Sequence, residues 1–292
     1  MQMYFHFSWG ATLSRYHTVE WGLDASQLGL LSAMSFIPFA LAQIPGGYLT
    51  DILGSRKVLS LAMALLALGT AIFASAPTFA VALLGRILLG VGTGVIFTPA
   101  LKVLSRWFQA GEFAIAHGGF ILVGAFGSVI ATWPLAMAAE AWGWRTPMWI
   151  VAGLTILIAI AVWLLVRDDP ADLSLPAITS LAREARKLPS APAAKQPSFQ
   201  AGCLLWYKLP TLWAISLILI ATSGTLWSFQ SLWAGPLLRH VRHLSVIEAS
   251  SALLMFTLGK AAGPLLFGFI SDRLINARKP VVVFTVLTQM EM

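Results

Sequence analysis

The chain is 292 residues long, 58% apolar and only 11% charged, with a formal net charge of +7. That balance excludes a soluble domain of this length, which would lack polar side chains to cover its surface. It fits a chain that crosses a bilayer repeatedly and keeps its polar residues in short connections. Cys203 is the only cysteine, which rules out a disulfide within one chain and a cysteine-ligated metal site. The five histidines show neither HxxxH nor HExxH spacing, and His240 and His243 share a short basic loop, so no metal ligand set is assigned. The start of the chain lacks the charged head, apolar core and small-residue cleavage site of a signal peptide.

Taken in chain order, the first two dozen residues carry His6, Arg15, His17, Glu20 and Asp24, too many polar groups for a clear span. The stretch MYFHFSW is apolar enough to lie at an interface. Either this region is a poor first helix or the original first helix is missing. Beyond it, apolar runs of about 20 residues or more, the length that spans hydrocarbon as a helix, follow one another. They cover 27–49, 58–76, 79–104, 113–139, 147–166, 211–238 and 247–270, and an eighth begins at Pro280 and extends for about half a span. The runs are continuous and not alternating, and lipid requires each backbone group to be satisfied within its segment, so helices are predicted rather than strands.

Lys and Arg in the connections set the orientation. One alternating set of loops holds thirteen cations, including Arg56, Lys57 and Lys102; the other holds Arg145, Arg239 and Arg242. The richer side is predicted to be cytoplasmic, and Trp133, Trp142, Trp144 and Trp233 then gather at the outer interface. Between Arg167 and Lys208 the composition changes to DDPADLSLP, ITSLAREARKL and PSAPAAKQPSF. The middle piece reads either as a short amphipathic helix lying on anionic lipid or as a flexible tether. The chain thus divides into a first transmembrane bundle at 1–167, a cytoplasmic linker at 168–209 and an incomplete second bundle at 210–292.

Two loops repeat one pattern. GGYLTDILGSRK at Gly46 to Lys57 and GFISDRLINARK at Gly268 to Lys279 align Gly47 with Gly268 and Asp51 with Asp272. Each closes an inward-running helix, and internal repetition of this kind is how many secondary transporters are built. The pattern Gly47-x-x-x-Asp51-x-x-Gly54-x-Arg56-Lys57 resembles the cytoplasmic signature loop of the major facilitator superfamily. Arg86-x-x-x-Gly90 is similar to that superfamily's second motif, and Gly268-x-x-x-Asp272-Arg273 to the echo in its second half. The resemblance implies an all-α polytopic fold of two six-helix bundles and transport by alternating access. Against that pattern the first helix is degraded and the tenth to twelfth helices are absent, as in a truncated member. The resemblance also implies that Asp51 helps latch the two halves at the cytoplasmic face; the plainer reading is that Asp51 caps a helix. Gly47 and Gly54 would permit close backbone approach or a sharp turn, while Arg56 and Lys57 would hold the loop inside.

Two cations fall within spans. Arg86 lies about two turns into its helix, and Lys260 sits mid-span in Gly259-Lys260-Ala-Ala-Gly263. An intramembrane cation costs on the order of 2.5–3.5 kcal/mol on insertion scales, so each should face a cavity or a partner. Small neighbours turn Lys260 toward the bundle interior, whereas Arg86 has both a structural reading and a substrate-contact reading. Gln43, Gln230 and Trp233 offer further polar and aromatic surface along a pathway, and the glycines Gly90, Gly94, Gly119, Gly124 and Gly127 read as packing contacts. No Asp or Glu lies deep in a span, so an anionic solute would be compensated there and a cationic one would not.

These features point to a secondary active transporter of a small organic solute, an anionic one being best matched, with a coupled proton as the expectation for the family. It would be a monomeric, multi-pass protein of the inner membrane, with no catalytic residues, cofactor or nucleic-acid partner. A truncated, non-transporting membrane fragment is one alternative. An integral membrane enzyme is the other, and it would need a nucleophile with a base, paired carboxylates or a metal cluster, none of which stands out.

Overall fold

A computed structural model of the chain describes residues 2–108, 112–173 and 233–269, with scattered positions between 207 and 229. The regular elements among them are helical: α1 (Gln2–Trp21), α2 (Ala25–Leu53), α3 (Ser55–Ser75), α4 (Phe79–Trp107), α5 (Phe113–Ile130), α6 (Trp133–Trp142), α7 (Arg145–Leu165), α8 (Ala234–Arg242) and α9 (Val246–Phe269), with a short 3₁₀ turn at Pro170–Leu173. Helices α2, α3, α4 and α7, together with the α5–α6 stretch, are long and apolar enough to cross a membrane. Exposed Ile37, Leu41 and Ile44 on α2, and Leu157, Ile160 and Leu164 on α7, recur at three- and four-residue intervals. Whole helix faces are therefore apolar and uncovered, as suits elements solvated by acyl chains on the outside and by protein on the inside.

Of the two expectations for the first two dozen residues, the helix is the one realised. At about 1.5 Å per residue, the 20 residues of α1 extend about 30 Å, a full hydrocarbon thickness. Phe5, Trp9, Leu13 and His17 follow one another at intervals of four and are buried, whereas Arg15, Thr18 and Val19 are exposed. The imidazoles and hydroxyls that lower the apolarity of this segment, His6, Thr12, Ser14 and His17, all point into protein. A composition average counts them as a penalty although none of them meets lipid. Trp9 and Leu13 join Phe73 of α3, Leu89 of α4 and Met148 of α7 in the central apolar core.

The span predicted over 113–139 is interrupted. α5 ends at Ile130 and α6 begins at Trp133, with Thr132 at φ −101° and ψ −112°. Pro134 lacks the N–H that a continuous helix would donate to Ile130, and its ring would crowd that carbonyl. In the first turn of α6 it is instead well placed. The break frees the Ala131 carbonyl, and buried Thr12 of α1 donates its hydroxyl to it at 2.9 Å.

Three capping arrangements set helix ends. Asp24 accepts from the Gln27 N–H at 2.7 Å while the Gln27 side chain accepts from the Asp24 N–H, a capping box that starts α2. Ser245 and Glu248 repeat this at α9, with 3.2 and 2.8 Å bonds. At the Gly143 end of the bundle, Glu20 closes α1 by pairing with Arg145 and accepting from the Trp144 indole N–H at 2.6 Å. Arg145 also donates to the Ala74 and Ala76 carbonyls at 3.1 and 2.6 Å, so one guanidinium gathers the ends of α1, α3 and α7.

Two of the predicted packing glycines behave as expected. A Cβ on Gly90 or Gly94 of α4 would run into the Ser35 or Phe39 carbonyl of α2, so α2 and α4 cross at backbone contact. Gly119 does not: a Cβ there meets nothing within 4 Å among the described residues. α8 rests on α1, and α9 rests on α5, α6 and α8.

Candidate functional site

The signature loop is a single residue. α2 stops at Leu53 and α3 starts at Ser55, with Gly54 between them at φ 87° and ψ 156°, a conformation that side chains disfavour. Space forbids a side chain as well, because a Cβ on Gly54 would collide with the Asp168 carboxylate. That carboxylate, just past the end of α7, accepts from the Arg56 backbone N–H at 2.6 Å and so satisfies one of the free donors at the α3 N-terminus. The Arg56 guanidinium lies 4.8 Å above the Trp163 ring of α7. Gly47 departs from expectation: a Cβ there meets nothing within 4 Å among the described residues. Gly46 makes the close approach instead: a Cβ there would lie 2.8 Å from Val95 of α4, because that face of α2 is the one turned to α4.

Asp51 pairs with Lys102 near the end of α4, Nζ to Oδ1 at 2.6 Å, and Lys102 also donates to the Thr50 carbonyl at 3.1 Å. The Asp51 side chain is 51% exposed. Arg106 meets Asp169 at 3.5 Å, and the Trp107 indole donates to the Arg167 carbonyl at 3.0 Å, so α2, α3, α4 and the end of α7 are tied together at this end. Lys57 is exposed. Asp51, Gly54 and Arg56 are legible in the sequence as motif residues, whereas Lys102 counts there only as a loop cation and Asp168 only as a linker residue. Both are ordinary loop charges by composition, and the bond from Asp168 spans 112 positions.

Arg86 is the polar centre of the interior. It is 5% exposed, its Nη1 donates to Ser35 Oγ at 3.2 Å, and its guanidinium lies 4.1 Å over the Trp9 ring and 5.1 Å from that of Phe73. No ion pair reaches it among the described residues, and its Nε is without a hydrogen-bond partner there. His6 adjoins it. The Trp9 indole donates to His6 Nδ1 at 3.2 Å, while Thr70 gives its hydroxyl hydrogen to the Leu66 carbonyl at 2.8 Å. Thr70 Oγ1 can then only accept from His6 Nε2, 3.5 Å away, so His6 is the neutral Nε2–H tautomer. A cavity of about 10 Å³, room for one water, opens between His6, Ser35, Arg86, Leu89, Gly90 and Thr93. His17 sits among the rings of Trp9, Trp21, Phe73 and Trp144 at centroid distances of 4.9–5.7 Å, with neither ring nitrogen hydrogen-bonded among the described residues.

The remaining candidates are dispersed. Gln43 is exposed on α2 and does not join Arg86, because it falls off the stripe that carries Ser35 and Ala42 inward. Trp233 precedes α8, is 59% exposed and borders a cavity shared with α1. Lys260 and Gly268 fall on α9, with the Lys260 side chain outside the described set; Gln230, Asp272 and Arg273 lie outside the described residues. The sequence marked His6 and His17 only as polar groups that weaken the first span, and Trp9 only as part of an apolar stretch. The signal that could have found them is the four-residue spacing of aromatic rings along α1.

The profile of the Major Facilitator Superfamily matches residues 2–288. Similar proteins include the "Probable L-galactonate transporter" of Escherichia coli (strain K12), 27% identical over 258 residues, and the "Hexuronate transporter" of Bacillus subtilis (strain 168), 25% identical over 270. These alignments cover 88% and 89% of this chain and 56% and 59% of the relatives, so the chain spans somewhat over half their length. Among solved structures, a bacterial homolog of the human lysosomal transporter Spinster, inward-facing and unoccupied, superposes with a TM-score of 0.67 at 22% identity. It covers 93% of this chain and 60% of that one. A D-xylose–proton symporter gives 0.64 at 14% identity, over 93% and 67%. The helical order, the glycine-turn loop between α2 and α3 and the arginine inside α4 all agree with a profile matching nearly the whole chain: it belongs to the major facilitator superfamily.

Proposed function

We propose that this chain serves secondary transport of a small organic anion by alternating access. The observation that carries the reading is Arg86, a guanidinium buried between two aromatic rings with no carboxylate partner among the described residues. A buried cation without a counter-charge is costly in a low-dielectric interior, and an arriving carboxylate relieves that cost. The names of the relatives, galactonate and hexuronate transporters, fit a solute of this class. The cavity beside Arg86 holds only a water as it stands, so the solute enters when the bundles part, and Lys260, the other cation within a predicted span, is the second-bundle candidate to meet it. A coupled proton has no carboxylate to ride on in the described interior, and the acceptor nitrogen of His6 is already taken by the Trp9 indole N–H.

In this reading residues 1–167 form one bundle, 168–209 a cytoplasmic linker and 210–292 part of the second bundle. The excess of thirteen cations over three orients the Gly54 end to the cytoplasm of an inner-membrane protein, and Asp51 exchanges its Lys102 partner for one on the second bundle when that end closes. The protein acts as a monomer and transports rather than catalyses. Reconstituted in liposomes, the chain should take up radiolabelled glucuronate. Arg86→Met, which removes the charge but keeps the bulk, and Lys260→Ala should each abolish uptake while the protein stays folded in the bilayer. Uptake at the wild-type rate in both variants refutes the anion reading.

A further inference from the structure

A second group of cations lies away from Arg86, at the Gly143 end. Arg15 is on the exposed side of α1 and Arg239 is half-buried on α8. The two come from segments 224 positions apart and border one cavity of about 480 Å³, within the range of about 300–1,000 Å³ that suits small ligands. Ser14 and Thr18 of α1, Asp24 before α2, Trp233 just before α8 and Pro236 on it share its wall. Trp233, Pro236 and Arg239 are spaced at three, so α8 turns one face to it.

The charge in this cavity is not balanced. Arg15 and Arg239 repel each other through space, and among the described residues neither takes part in an ion pair. Asp24 is the one carboxylate in the described lining, and its Oδ1 is engaged with the Gln27 N–H as the cap of α2. Glu140 acts on neighbouring Tyr16 without reaching ion-pair distance of either arginine. Two guanidiniums from different segments thus converge on a space that an anion would fill, next to an exposed indole face on which a ring can stack. The rest of the wall is mostly apolar, contributed by Val19, Leu23 and Leu28, which disfavours a bare inorganic ion and favours an organic body.

We propose that this cavity is an outer vestibular site for an organic carboxylate, held by Arg15 and Arg239 and stacked on Trp233, distinct from the interior around Arg86. It rests on the transport reading only for the side of the membrane it faces and for the choice of probe. Because α1 and α8 each supply one arginine, the bound carboxylate bridges them and holds the Gly143 end shut, so the site both collects solute and senses it before the interior opens.

The test is calorimetric titration of the intact chain in lipid nanodiscs with sodium glucuronate, and with glucose as the ring lacking a carboxylate. Glucuronate should bind saturably and glucose should not. Arg15→Gln and Arg239→Gln should each weaken binding by about tenfold or more, the loss of one charge-assisted contact, with Arg239→Lys recovering much of it. Trp233→Phe should remove the change in indole emission that accompanies binding, and Arg86→Met should leave the vestibular affinity within about twofold. Glucuronate binding that is absent in the wild type, unaffected by both glutamine variants, or lost in Arg86→Met overturns the proposal. The last result would place all binding in the interior and leave the transport reading standing, whereas lost uptake is read separately in liposomes.

Discussion

Gly54→Ala is the most demanding test of the turn that organises the Gly54 end. At φ 87° and ψ 156° the residue occupies a region open essentially to glycine, and holding alanine there costs about 1–3 kcal/mol. The added methyl also collides with the Asp168 carboxylate, which must retreat from the Arg56 N–H that it accepts from at 2.6 Å. A hydrogen bond to a charged group contributes about 1.5–3 kcal/mol. If both are lost the variant is destabilised by about 2.5–6 kcal/mol, and by less if the α2–α3 junction shifts to accommodate the methyl. The measurement is equilibrium unfolding in mixed micelles followed by circular dichroism, on wild type, Gly54→Ala, Asp168→Ala and the double variant. The two effects share one contact, so the double variant should fall short of the sum of the singles by about 1 kcal/mol or more. A Gly54→Ala protein within about 0.5 kcal/mol of wild type, or strictly additive changes, would refute the geometry of this turn.

Other outcomes follow from single contacts. Thr12→Val keeps the shape of a buried side chain and leaves the Ala131 carbonyl at the α5–α6 break without its donor, so it should destabilise by about 1–3 kcal/mol in the same assay; no change would mean that the break is satisfied elsewhere. Asp51→Asn removes a half-exposed ion pair with Lys102 worth about 0–1 kcal/mol. Stability should hardly move, while glucuronate uptake in liposomes should fall severalfold if Asp51 also works as the gate latch; unchanged uptake reduces it to a surface pair.

Much of the architecture could be read without coordinates. Continuous apolar runs bounded by charges located α2, α3, α4, α7 and α9, because in a bilayer the cost of exposing a backbone group or a charge dominates other terms and is written directly into composition. The same cost marked Arg86 as an interior cation, and the glycine and charge pattern from Gly47 to Lys57 marked the signature loop.

Other features needed the folded chain. α1 was ambiguous because composition records how many polar groups a segment has and not which way they point, and its histidines and Thr12 point inward. The α5–α6 break carried a sequence signal in Pro134, but a proline within a run of apolar residues is compatible with a kink as well as with a break. What surrounds Arg86, and that Asp168 caps α3 across 112 residues, follows from helix packing, which brings distant positions together by shape. Sequence by itself determined the membrane solvent and the segments that meet it. The tertiary structure decided which polar groups face one another inside, since burial against a particular neighbour, Trp9 on Arg86 or Arg239 opposite Arg15, is a property of the packed helices and of no single one.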